Sequence, residues 1–209
     1  MRLCRTTSFP HLAENAPRLV RLVGFAALFF SVLYLLSDVV EMLQGGFSDP
    51  QLALTLVGEA AIPFFVVGLY RVQRPEIGRL GLFSALAYAY SYVFFTATVV
   101  YAIVYSTANY GELVAHLGAV MTVHGAIMVA AGLGFGAAAV KAGVVPAWTG
   151  IVLMVGVVAV ASTQTAPEGV QLAAAGARAA GFAGMGWALL RSPRGAIRRQ
   201  THDVGMSFD

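Results

Sequence analysis

Three titratable side chains, Glu59, His124 and Arg178, fall in the middle of long apolar runs. A carboxylate, an imidazole or a guanidinium at hydrocarbon depth is costly unless it is paired or used, so each is a candidate functional group. The first two suit proton transfer, because acids and imidazoles can be tuned to trade protons near neutral pH. Asp38 and Glu41 share a helical face, with Tyr34 one turn from Asp38 on the same face. His116 precedes His124 by two turns, too far apart for the pair to hold one metal ion or haem, and no metal or cofactor is expected. Asp38, Glu59 and His124 are therefore the acid–base candidates. Glu59, His124, Arg178, Asp38, His116 and Tyr90 are the binding candidates. Tyr88, Tyr90 and Tyr92 are deep enough for their hydroxyls to need partners. A plainer role accounts for the same groups: a buried Glu59–Arg178 ion pair, with His124 beside it, that ties helices together.

The elements that must position these groups are six membrane-spanning helices, at about 19–43, 51–70, 80–105, 113–140, 146–163 and 169–190. Each is near the ~20 residues needed to cross a bilayer. Turn chemistry separates them: Gly45, Gly46 and Pro50, then Pro75, Asn109 and Gly111, Gly143 and Pro146, and finally Pro167. Short loops make consecutive spans antiparallel, which gives three helical hairpins in one domain over 19–190, flanked by tails at 1–18 and 191–209. Of the 13 Lys and Arg residues, all but Arg178 fall on one side of a six-span chain. The positive-inside rule puts that side, and both termini, in the cytoplasm. On this frame Glu59 lies about 12 Å below the outer surface, Arg178 about 14 Å and His124 about 16 Å, at the helical rise of 1.5 Å per residue. Pro63, one turn after Glu59, is expected to kink the second span. Small residues recur along the sixth span at Gly176, Ala180, Gly184 and Ala188 and along the fourth at Gly132 and Gly136. Such stripes suit either close packing of these two spans or a homo-oligomer face through Gly176, Ala180 and Gly184.

Composition agrees. The chain of 209 residues is 58% hydrophobic and 11% charged, with mean hydropathy +0.76. A soluble domain carries about 25% charged residues. The net charge of +3 reflects cytoplasmic loops, with no interleaved basic and aromatic face for nucleic acid. Cys4 is the single cysteine, which removes internal disulfides and thiolate metal sites. Membrane lipid is the expected surrounding partner, and the expected location is a bacterial inner membrane that the chain crosses several times.

The run LLSDVVEMLQGGF at 35–47, with EAAIP at 59–63, QRPEIG at 73–78 and VPAWTG at 145–150, resembles small six-span proteins of actinobacteria to which no chemistry is assigned. That resemblance implies an all-α membrane fold and no site residues. The leading expectation is small-solute or proton-coupled transport, or a structural membrane role, centred on the midplane acid, His and Arg. The alternatives are a membrane-embedded enzyme acting on a lipid or isoprenoid by terpene-cyclase-like acid–base chemistry, and an accessory subunit of a membrane complex.

Overall fold

The computed structural model describes residues 10–191, with side chains from position 17, and every regular element among them is a helix. The helices are α1 (Pro10–Gln44), α2 (Asp49–Val72), α3 (Gly78–Tyr105), α4 (Tyr110–Leu117), α5 (Ala119–Ala142), α6 (Ala147–Ser162) and α7 (Glu168–Arg191). Four stretches are long and apolar enough to cross a membrane: Pro17–Gln44, Asp49–Val72, Gly78–Tyr105 and Ala119–Ala142. α6 is apolar but only 16 residues long, about 24 Å at the helical rise. α7 has the length, but alanine, glycine and Arg178 dilute its hydropathy.

The single span expected at 113–140 is two helices. Gly118 has φ 55° and ψ −133°, a backbone that residues with a Cβ avoid, and it ends α4 and starts α5. α4 begins on its own cap: the Asn109 side-chain oxygen Oδ1 accepts from the Glu112 N–H at 3.0 Å, and the Glu112 carboxylate reaches back to accept from the Ala108 N–H at 2.8 Å. α2 runs unbroken through Pro63.

The long helices form a closed ring, each packed on the next in the order α1, α2, α3, α5, α6, α7, and α7 packs back on α1. The small residues of α7 therefore serve α1 and α6, and not the fourth span as the sequence suggested. A methyl group on Gly186 would strike the Gly24 carbonyl of α1, and one on Gly181 would strike the Leu153 backbone of α6. Gly184 is covered by Trp148 and Thr149 of α6, whereas Gly176 faces open space apart from Leu35. Large side chains such as Phe25, Phe29, Phe64, Phe83 and Val155 point outward and exposed, the surface a bilayer would cover.

Inside the ring, the inward stripes of α1, α2 and α7 change character along their length. On α1, Val20, Val23 and Ala27 give way to Ser31, Tyr34 and Asp38. On α2 the buried side chains are Gln51, Thr55 and Glu59, followed by Ile62, Phe65, Val66 and Leu69. On α7, Arg178 is followed by Phe182, Met185 and Leu189. Alternating helix direction brings the polar stretches together at the end of the ring bearing Glu41, Asp49 and Glu168. The apolar stretches meet at the end bearing Arg18, Arg71, Arg79, Lys141 and Arg191. The change is marked by an aromatic layer in which Phe182 touches Phe65, Tyr88 and Phe135 at ring-centre distances of 5.4, 5.5 and 6.4 Å.

Candidate functional site

The polar half is built on Arg178, buried to 7% exposure. α7 places it there by passing very close to α6, where a methyl group on Gly156 would collide with the Arg178 backbone. Its guanidinium donates to the Tyr92 hydroxyl of α3 at 2.9 Å and lies 3.9 Å from Asp38 Oδ2 on α1. It also sits over the Tyr34 ring, 4.7 Å from the centroid, a cation–π contact that desolvation strengthens. Tyr34 then links the guanidinium to the buried acid: its hydroxyl donates to Glu59 Oε1 at 2.7 Å. That approach depends on Gly58, since a methyl group there would press on Tyr34 Cβ at 3.1 Å.

Glu59 and Arg178 thus belong to one network without forming an ion pair within 4 Å among the described residues. Glu59 is 5% exposed, and its second oxygen, Oε2, has no hydrogen-bond partner. The Tyr88 hydroxyl, one turn below Tyr92, is also buried, with the Tyr92 hydroxyl as its neighbour. Nearer the acidic end, Gln51 Nε2 donates to Glu41 Oε2 at 3.1 Å and to the Thr55 hydroxyl at 3.0 Å. Tyr110 of α4 lies close enough to feel both Glu41 and Glu59, and burial, with those two charges behind it, pushes its phenol above the usual value.

The histidines lie elsewhere. His124 stacks flat on Phe94 at 3.7 Å between ring centres, with Nδ1 2.8 Å from the Val120 carbonyl and Nε2 3.1 Å from the Tyr90 hydroxyl. A ring nitrogen facing a carbonyl must carry the hydrogen, so in the neutral imidazole Nε2 accepts from Tyr90. Tyr90 is 56% exposed, and this pair lies in the outer seam between α3 and α5, away from Arg178. His116 is exposed on α4, its ring 6.4 Å from Tyr101. The break at Gly118 removes the continuous helix that would have aligned it with His124. The structure therefore gathers Asp38, Glu59 and Arg178 and leaves out His116, His124 and Tyr90. It adds Tyr34, Tyr92, Gln51 and Thr55. Tyr34 was detectable from its place one turn before Asp38, and Tyr92 from the need of a deep hydroxyl for a partner; nothing in the sequence says which helix supplies that partner.

Chemically, the arrangement offers one guanidinium balanced by one carboxylate, plus a second buried carboxyl group with a free oxygen. Comparison with known protein families, with characterised proteins and with solved structures finds no match.

Proposed function

We propose that this chain is a six-span protein of a bacterial cell membrane, with both termini cytoplasmic. In this reading it admits a small solute or a proton from outside into the polar half of its bundle, as a transport-type protein does. The observation that carries the reading is the division of the inward stripes of α1, α2 and α7 into a polar outer half and an apolar inner half. A purely structural ion pair needs two matched groups. Here Asp38, Arg178, Tyr92, Tyr34 and Glu59 form one connected set, Glu41, Gln51 and Thr55 form a second nearer the acidic end, and the acid deepest on α2 keeps an oxygen unfilled. Unfilled buried polar atoms are uncommon and costly, and the one on Glu59 supports a ligand at this place. α6 and α7 support the count of six, because without them the ring is open and Arg178 has no support.

Access is the test. In a Cys4→Ser background, single cysteines at Gly176 and Thr55 should react on intact cells with a membrane-impermeant maleimide, while one at Val66 should not. Unreactive cysteines at both outer positions would mean a dry structural network and would overturn the reading.

A second reading has its own observation. Phe65, Tyr88 and Phe182 lie beneath the acid on the same helices that carry the polar groups, and an acid above an aromatic layer suits proton transfer to a hydrocarbon chain. An isoprenoid or lipid that co-purifies in stoichiometric amount, and is lost from Glu59→Gln, would favour that enzyme over transport.

A further inference from the structure

The polar half holds three carboxyl groups, Asp38, Glu41 and Glu59, against one guanidinium. Asp38 answers Arg178 across 3.9 Å, and Glu41 has the Gln51 amide at 3.1 Å. Glu59 has a single neutral donor, Tyr34, and a bare Oε2. Arg178 is engaged elsewhere, by Tyr92, Asp38 and the face of Tyr34. An ionised carboxylate buried without a cation is strongly unfavourable, so this acid keeps its proton until a cation replaces it.

We propose that Glu59 is an exchange site at which a small primary ammonium ion displaces the acid's proton, among the tyrosines 34, 88 and 92. The proposal rests on the reading of the polar half as a ligand site and adds the class of ligand. Three features select an ammonium. Glu59 Oε2 is an unfilled oxygen, and the Tyr88 hydroxyl oxygen, beside Tyr92, is a further acceptor for N–H donors. The Tyr34 ring, whose hydroxyl holds the acid, packs on Tyr92 at 6.4 Å and Tyr92 on Tyr88 at 5.1 Å between centres, an aromatic group of the kind that attracts cations. A divalent metal needs about six oxygen ligands, more than stand unfilled here.

The exchange balances simply. The neutral acid and R–NH3+ become the carboxylate–ammonium pair, and one proton passes to water. No covalent bond to carbon changes, and the net charge of the site is the same before and after. The groups around Glu59 permit this: Tyr34 and Asp38 come from α1, Tyr92 from α3, Arg178 from α7 and Tyr110 from α4, with Glu41 and Tyr88 one step further out beside Asp38 and Tyr92. Asp38 and Arg178 offset one another, and the phenols stay neutral near pH 7.

Ethylammonium chloride is titrated into the purified full-length chain in weakly buffered detergent, with proton release and thermal midpoint both recorded. The expected result is release of about one proton per chain, a raised midpoint, and apparent affinity that rises about tenfold per pH unit while the acid starts protonated. Glu59→Gln should abolish both signals. If that variant does not fold, Glu59→Asp should bind more weakly and still release the proton. The same response to sodium or potassium chloride would overturn the proposal in favour of a metal ion. Stabilisation by sodium acetate and not by ethylammonium would overturn it in favour of an anion on Arg178. Silence to every probe, with Gly176 and Thr55 cysteines still labelled, would overturn ammonium exchange and leave the polar-half reading standing. Silence with no labelling would remove both.

Discussion

The Tyr34 hydroxyl donates to Glu59 while its ring face carries Arg178. One side chain therefore couples two charged groups that do not touch. Phe at position 34 keeps the ring and deletes the donor, which strands a buried carboxyl oxygen at a cost of about 1–3 kcal/mol. Tyr34→Phe should accordingly lower the thermal midpoint by several degrees in detergent. A double-mutant cycle gives the sharper outcome. Glu59→Gln and Arg178→Ala should be coupled in the parent, yet add to within about 0.5 kcal/mol in the Tyr34→Phe background. Coupling that survives without the hydroxyl would mean that the acid and the guanidinium interact directly.

At the scale of helices, two glycines on neighbouring elements behave oppositely. Gly156 holds α6 against the Arg178 backbone of α7, and a methyl group there has no room. Gly176 has only Leu35 at 4.0 Å. Gly156→Ala should therefore cost about 1–3 kcal/mol through forced backbone movement and displace the guanidinium, whereas Gly176→Ala should leave the midpoint unchanged or slightly higher. Comparing purified yield and thermal midpoint of the two checks this. The same contrast bears on the stripe of small residues. Gly184 is occupied by α6, so a homo-oligomer face could draw only on Gly176 and Ala180.

At the scale of the whole molecule, the ring has a direction. Basic side chains and the apolar interior share one end, and acidic side chains and the polar interior share the other. If both termini are cytoplasmic, reporter fusions should agree: green fluorescent protein at the C-terminus should fluoresce, and alkaline phosphatase there should stay inactive. Phosphatase fused after Asp49 or Glu168 should be active. The opposite pattern would turn the polar half toward the cytoplasm and reverse the direction from which a solute enters.

Some of this was set by the sequence alone. Helical class and element positions follow from the apolar runs and turn residues, because a run near the length of the bilayer core with no other way to satisfy its backbone must be helical. The depth of Glu59 and Arg178 follows from counting along those helices, which is a one-dimensional measurement. Rotation about each helix axis and the order of neighbours around the ring are not one-dimensional, and there the sequence fell short. Small residues on α7 announced close packing without naming α1 and α6 as the partners. His124, in the second turn of α5, faces the wrong way, toward Phe94 and Tyr90 in the α3–α5 seam. Gly118 looked like one more small residue in a long run until its positive φ split that run into α4 and α5. The link from Glu59 to Arg178 through Tyr34 exists only because three helices present those side chains to one point, and tertiary packing alone decides that.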